Sequence, residues 1–297
     1  MLSDPAAAAA ITKHLDQMVV LCQADPTLQL AALKFQMEHA SAKADFDRSG
    51  GDSAAEPPRS PSAPVETLSR EDREKAHLRA ALMRMMEFGL ACGRETLERA
   101  TDVSAASSQR SPLADRGPRG FGGAAEPPTG GERARSGSVD DLATQDALME
   151  RAATISHLAV QVLGLVFLVS EELRPVLQRH ALHDLRLLDY VKRALLLDRE
   201  TELSTFAEGF KTGHMNLLAN FCYKNTEVCS AVGKIDPLLV AVLAGTRVDE
   251  ENPGMVEWAE FTVRCICEHS GEARDFIRGL TRRGGSAELH TPAVAPK

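Results

Sequence analysis

No stretch of this 297-residue chain is apolar for long enough to span a bilayer as a helix. The longest candidate, Leu158 to Val169, reaches about half of the ~20 residues a crossing needs, and Gln161 interrupts it. It reads as a buried helix. Basic residues are also in short supply, with 34 Lys and Arg against 42 Asp and Glu for a net charge of −8. A nucleic-acid surface needs clustered cations to displace counterions, so that class of partner is excluded, although a small local basic patch is not. The opening residues Met1-Leu-Ser-Asp-Pro5 lack the positive region of a secretory leader, which leads to the expectation of a cytoplasmic location with reduced thiols. No Cys-x2-Cys pair, glycine-rich phosphate loop, Ser/His/Asp arrangement or dinucleotide fingerprint occurs, so neither metal, cofactor nor catalysis is expected.

What the chain does contain is a segment written more than once. Leu217, Leu218, Phe221, Cys222, Glu227 and Val232 fall on Thr262, Val263, Ile266, Cys267, Glu272 and Ile277 at a shift of 45 residues. A fainter copy at a shift of 55 puts Val162, Leu163, Val166, Phe167, Glu172 and Leu177 in the same places. A helical period of ~40–47 residues is the mark of armadillo or HEAT architecture, in which each unit hides its apolar face against a neighbour. The expected fold is therefore all-α, an armadillo-like right-handed stack over residues 138–280.

Around that stack the chain divides by composition. Residues 1–40 carry an apolar stripe broken at Asp25-Pro26, and 65–100 a second helical segment with Leu78, Leu82, Met85, Met86 and Leu90 on one face. Residues 41–64 and 101–137 read as disordered linkers, seven of the 21 glycines lying between Gly117 and Gly137, and 281–297 as a disordered tail. Within the stack one helical run is expected over His183–Leu197. Ser138 with Asp141, and Ser204 or Thr205, are expected to open helices, Gly233 to end one in a left-handed turn, and Asp236-Pro237 and Asn252-Pro253 to serve as N-caps followed by proline.

Two runs carry a resemblance to a known family. They are Ala219-Asn-Phe-Cys-Tyr-Lys-Asn225 and Glu251-Asn-Pro-Gly-Met-Val-Glu-Trp-Ala-Glu-Phe-Thr-Val-Arg-Cys-Ile-Cys-Glu268. Their order and separation resemble the C-terminal domain of the ataxin-10 family over about residues 183–280. Ala219 stands where that family favours Gly, and Cys265 where it has Asn. The resemblance implies a non-catalytic, cytoplasmic, armadillo-like protein that works through partners, with family roles in cytokinesis, cilium-linked processes and signalling.

Candidate residues follow. Asn220 matches the position at which armadillo proteins bond a peptide backbone, since an amide offers both donor and acceptor. Its counterparts Leu165 and Cys265 cannot do this, and Asn220 is equally open to a helix-packing role. Tyr223, Lys224 and Asn225 are candidate partner contacts at one helix end. Pro253, Trp258 and Phe261 are expected to anchor packing. Arg133-Ala-Arg-Ser-Gly-Ser138 fits a basophilic kinase pattern, which makes Ser138 a candidate phosphorylation site. The expected function is a protein–protein scaffold or adaptor tied to cell division, with self-association left open. The alternatives are a peptide-carrying transport adaptor and, from another class, a thiol enzyme or metal protein built on Cys222 with His214 or His269. His180 and His183 are expected at a solvated helix end.

Overall fold

The computed structural model describes residues 5–51, 69–109, 139–197, 209–250 and 252–282. Among them are eleven helices and no strand, so the chain has the all-α helical-repeat character that the sequence leads one to expect. In chain order these are α1 (Pro5–Gln23), α2 (Gln29–Gly51), α3 (Arg70–Gln109), α4 (Val139–Val166), α5 (Arg174–His183), α6 (Leu187–Leu195), α7 (Phe210–Cys222), α8 (Thr226–Gly233), α9 (Asp236–Ala244), α10 (Met255–His269) and α11 (Gly271–Arg282). None is long and apolar enough to cross a membrane.

The helices stand in rows. One row runs α1, α4, α7, α10, each packed on the next, and a second runs α3, α5, α8, α11. The short α6 and α9 touch each other and close the stack behind α7 and α10. The rows exist because each helix carries its apolar residues at spacings of three and four, so one face must be covered. In α1 the buried residues are Ala7, Ile11, Leu15, Met18, Val19 and Cys22. The N-terminal helices thus join the stack, and α3 packs on α4, α5 and α6.

The sharpest tie at that end is buried. Asp25, in the turn between α1 and α2, accepts two hydrogen bonds from Arg99 on α3, at 2.6 and 2.9 Å. Burial acts to raise the Asp25 pKa, but the Arg99 and Thr27 hydrogen bonds prevail and hold it below the ordinary carboxylate value. Nearby, the buried Cys22 and Cys92 thiols lie 3.6 Å apart.

The repeat is visible in hydrogen bonds as well as in apolar positions. Ser170 Oγ, Asn225 Oδ1 and Ser270 Oγ occupy equivalent positions at the shifts of 55 and 45, and each accepts the backbone N–H three residues on, from Leu173, Val228 and Ala273. Four residues beyond each cap, Arg174, Cys229 and Arg274 donate back to the carbonyls of Phe167, Cys222 and Cys267, again an equivalent set. Each unit therefore turns its chain with the same two devices, one for a free N–H and one for a free C=O.

Several boundaries differ from expectation. The helical backbone of α2 runs on to Gly51 and that of α3 to Gln109, past the expected ends at 40 and 100. The run over His183–Leu197 is broken, because Arg186 takes a left-handed conformation (φ 51°) and α6 starts after it. The helix after the third gap opens at Gly209, also left-handed; Ser204 and Thr205 lie outside the described residues. Asp236 is already helical behind an Ile235 cap, with Pro237 in the first turn, and Gly254 (φ 77°) rather than Asn252 caps α10. Asn252 instead accepts from Lys211 N at 2.9 Å, tying the loop before α10 to the start of α7.

Gly233 does not mark a left-handed end, for the only positive-φ glycines among the described residues are Gly209 and Gly254. Its smallness serves packing: a Cβ there would lie 2.3 Å from Ser270 Oγ. Gly233→Ala is accordingly expected to destabilise the fold by about 1–3 kcal/mol, the usual cost of overpacking. Ser270→Ala alone should cost about 1 kcal/mol through its lost cap. The double variant should cost less than the sum of the two single variants, because the closest clashing atom is gone, and urea unfolding of all four chains measures that coupling.

Candidate functional site

A groove of about 510 Å³ lies along the first row, bounded by α1, α4, α7 and α10. It is the sum of one face per helix. His157, Gln161 and Leu165 recur every four residues on α4, as do Thr212, Asn216 and Asn220 on α7, so each set forms one stripe. Ala10 and His14 of α1 close one side and Trp258 of α10 the other.

The groove's chemistry is that of uncharged amides. Asn220 Nδ2 donates to Asn216 Oδ1 at 2.8 Å, and Gln161 Nε2 donates to His157 Nε2 at the same distance. Gln161 and Asn216 are counterparts at the shift of 55, so the rung shared by two repeats lies one turn before Asn220. A search for matches to Asn220 alone finds Leu165, which lines the groove, and Cys265, which is buried. The four-residue spacing of polar residues on α4 and α7 was the signal that would have found Gln161 and Asn216. His14 takes part as well. Burial, then the charges of Lys13 and His157, lower its pKa.

The Cys-Tyr-Lys-Asn run forms the turn at the far end of α7. Gln178 of α5, buried, reaches across to it. Its Nε2 donates to the carbonyls of Phe221 at 2.9 Å and Tyr223 at 3.0 Å, while its Oε1 accepts from Asn225 Nδ2 at 2.9 Å. Asn225 thereby spends both ends of its amide within the chain, one on Gln178 and one capping α8. Lys224 adopts φ 53° and is exposed, its ammonium 5.2 Å from the Tyr223 ring centre. Arg174 covers the same ring at 5.3 Å.

Tyr223, Phe261 and Trp258 form a chain of aromatic contacts, with centroids 6.0 and 6.5 Å apart, running from this turn to the groove. Trp258 and Phe261 are half-buried, so Trp258 both packs and lines the groove. Pro253 is exposed and its carbonyl accepts from Thr212 Oγ1 at 3.0 Å. Ser138 lies outside the described residues.

The thiol and histidine candidates separate. Cys222 is fully buried, and the neighbouring Cys229 thiol and then burial push its pKa well above the ordinary value, which leaves it a poor nucleophile. His214 is buried too. Its Nδ1 donates to the Phe210 carbonyl at 2.9 Å, so Nε2 accepts from the Tyr190 hydroxyl at 3.1 Å. His180 and His183 turn to different carboxylates, Asp184 at 2.8 Å and Glu227 at 2.7 Å. No group of three or more His, Cys, Asp or Glu among the described residues is arranged to hold a metal ion.

Comparison with known proteins places the resemblance in the C-terminal part of the chain. Residues 210–291 match the family described as "Spinocerebellar ataxia type 10 protein domain". Ataxin-10 of Bos taurus is 29% identical over 83 residues, covering 28% of this chain and 17% of that protein. Ataxin-10 of Xenopus tropicalis is 30% identical over 83 residues, with the same two shares of 28% and 17%. Ataxin-10 of Homo sapiens is 27% identical over 85 residues, covering 29% of this chain and 18% of that protein. The chain spans less than a fifth of the length of these curated relatives. No solved structure matches. The matched stretch holds α7 to α11, and with them Asn216, Asn220, Trp258 and the Cys-Tyr-Lys-Asn turn.

Burial lowers the His214 pKa from 6.5 to about 4. Between those values the unfolded chain binds a proton that the folded chain does not. The His214 contribution is therefore complete above pH 6.5 and lost as pH falls towards 4, an effect of at most roughly 3 kcal/mol. His14 shifts in the same direction, whereas Asp25 loses its contribution only below the ordinary carboxylate pKa. Urea midpoints measured from pH 7.5 to 4.5 should fall for the natural chain, and His214→Gln should flatten most of that slope.

Proposed function

We propose that this chain is a non-catalytic protein-interaction module of the ataxin-10 kind, an armadillo-like stack that holds an extended polypeptide segment in the groove between α4 and α7. What supports the reading is one observation above the rest, the row of amides Gln161, Asn216 and Asn220 facing a common groove across two repeats. An amide side chain matches a peptide unit in both donor and acceptor, so a row of them binds backbone with little regard to sequence. Trp258 at the other wall supplies the apolar contact that such grooves use to anchor a side chain.

The partner is a protein, and a second copy of this chain is among those the proposal admits. The likeness to ataxin-10 adds the finer reading of a cytoplasmic scaffold or adaptor serving cell division, with cytokinesis first among its roles. Within it, Lys224 and Tyr223 contribute a cationic and aromatic contact beside the groove. Asn220 contributes from within. The Cys222 alternative loses ground on the burial and raised pKa of that thiol.

The test is capture of partners by the full chain and by Asn220→Arg, with far-UV circular dichroism and melting to establish that the variant folds. A folded Asn220→Arg chain should lose the partners of the natural one, because a long cation fills the groove and removes the amide. Retention of every partner by the folded variant would place binding on another surface.

A further inference from the structure

A second concavity, of about 290 Å³, lies between α2 and α3, and its described walls run against the sign of the whole chain. His39 and Lys43 face it from α2, four residues apart; His77 and Arg84 face it from α3, seven apart. These spacings put each pair on one helical face. Among the described residues Glu74 is the single carboxylate on the wall, and Arg70 holds it at 2.9 Å. The described lining of the cleft thus carries more cations than carboxylates, in a protein whose net charge is −8.

Two of its polar atoms are short of partners. Arg84 Nε and His39 Nδ1 are buried and have no hydrogen-bond partner among the described residues. A guanidinium Nε–H without an acceptor among the described residues is an unmet demand. The site is also held in place from behind. The His39 ring stacks on Phe35 at 5.7 Å, and Phe35 stacks on Phe88 of α3 at 4.6 Å, which fixes the imidazole. The volume suits a small group rather than a cofactor.

We propose that the cleft between α2 and α3 is an anion site that takes a phosphoryl group, gripped by Arg84 and Lys43 with His39 and His77 beside them. Arginine offers a planar fork that matches phosphate oxygens, and lysine a point charge. The separation from the amide groove makes this a distinct site with its own ligand chemistry.

The test uses the full chain and three probes: inorganic phosphate, a phosphoserine peptide and the same peptide unphosphorylated, titrated calorimetrically at constant ionic strength. Saturable binding of phosphate or of the phosphopeptide, and none of the unphosphorylated peptide, is expected. Binding of both phosphorylated probes identifies a free phosphoryl site, and binding of the peptide alone a site for a modified protein. Lys43→Gln and Arg84→Gln should each weaken binding on the order of tenfold or more, as loss of a charge-assisted hydrogen bond does. Lys43 is exposed, so its variant keeps the test open should Arg84→Gln fail to fold. No saturable binding of either phosphorylated probe, or binding unchanged in both folded variants, would overturn the proposal.

Discussion

A helix that ends inside a stack leaves carbonyls with no water to meet them, and everything else in this fold is arranged around that demand. At the ends of α4, α7 and α10 the same carbonyl, of Phe167, Cys222 and Cys267, receives a side-chain donor from the next helix; the first two of these bonds are buried and the third, at the end of the stack, is exposed. The donors are chemically unlike, two arginines and a thiol. What recurs is the need and the place from which it is met. An unpaired buried carbonyl costs more than an ordinary hydrogen bond gains, so the turn is fixed by avoidance of loss. Once it is fixed, the direction of each following helix is fixed too, and the rows follow.

The groove inherits its geometry from those rows. Because α4 and α7 lie side by side in equivalent poses, a residue at one position of α4 has a partner at the same height on α7. Gln161 and Asn216 are such a pair. The polar stripe is then a by-product of the stack, with its character set by a few amide side chains. The aromatic chain Tyr223, Phe261, Trp258 links the groove to the Cys-Tyr-Lys-Asn turn, so that both motif runs border one surface.

The repeats were legible in the sequence because burial constrains residue type at equivalent positions: Leu163 and Leu218 are fully buried, and Val263 partly so, in the same place of successive units. The helix breaks at Asp25-Pro26 and the caps at Asn225 and its counterparts follow from local chemistry and could be read in part. Asn252 could not, since its role is to reach a backbone N–H 41 residues earlier on α7. Gly233 was misread for a similar reason: the residue it accommodates, Ser270, belongs to the following unit. The groove was half legible. Asn220 carried a family motif, and the polar spacing on α4 and α7 pointed to Gln161 and Asn216, but that these share a groove with His14 shows only when three helices are brought together. Residues that face solvent or a partner need not repeat, as Asn220 shows against its counterparts Leu165 and Cys265.

The two junctions between units carry different keys. At the first, the long Gln178 reaches Asn225; at the second, Gly233 sits against Ser270 with no room for a further atom. These four are the same two positions seen at successive junctions. Units that share a plan are therefore not interchangeable bricks. Were the order of units rearranged, Gln178 would be pressed into a space made for no side chain, and Gly233 would face Asn225 across a gap with a capped amide lacking its partner. A lineage of such proteins can lengthen or shorten its stack only by changing residues in matched pairs, so the number of units becomes a heritable property guarded by the seams between them.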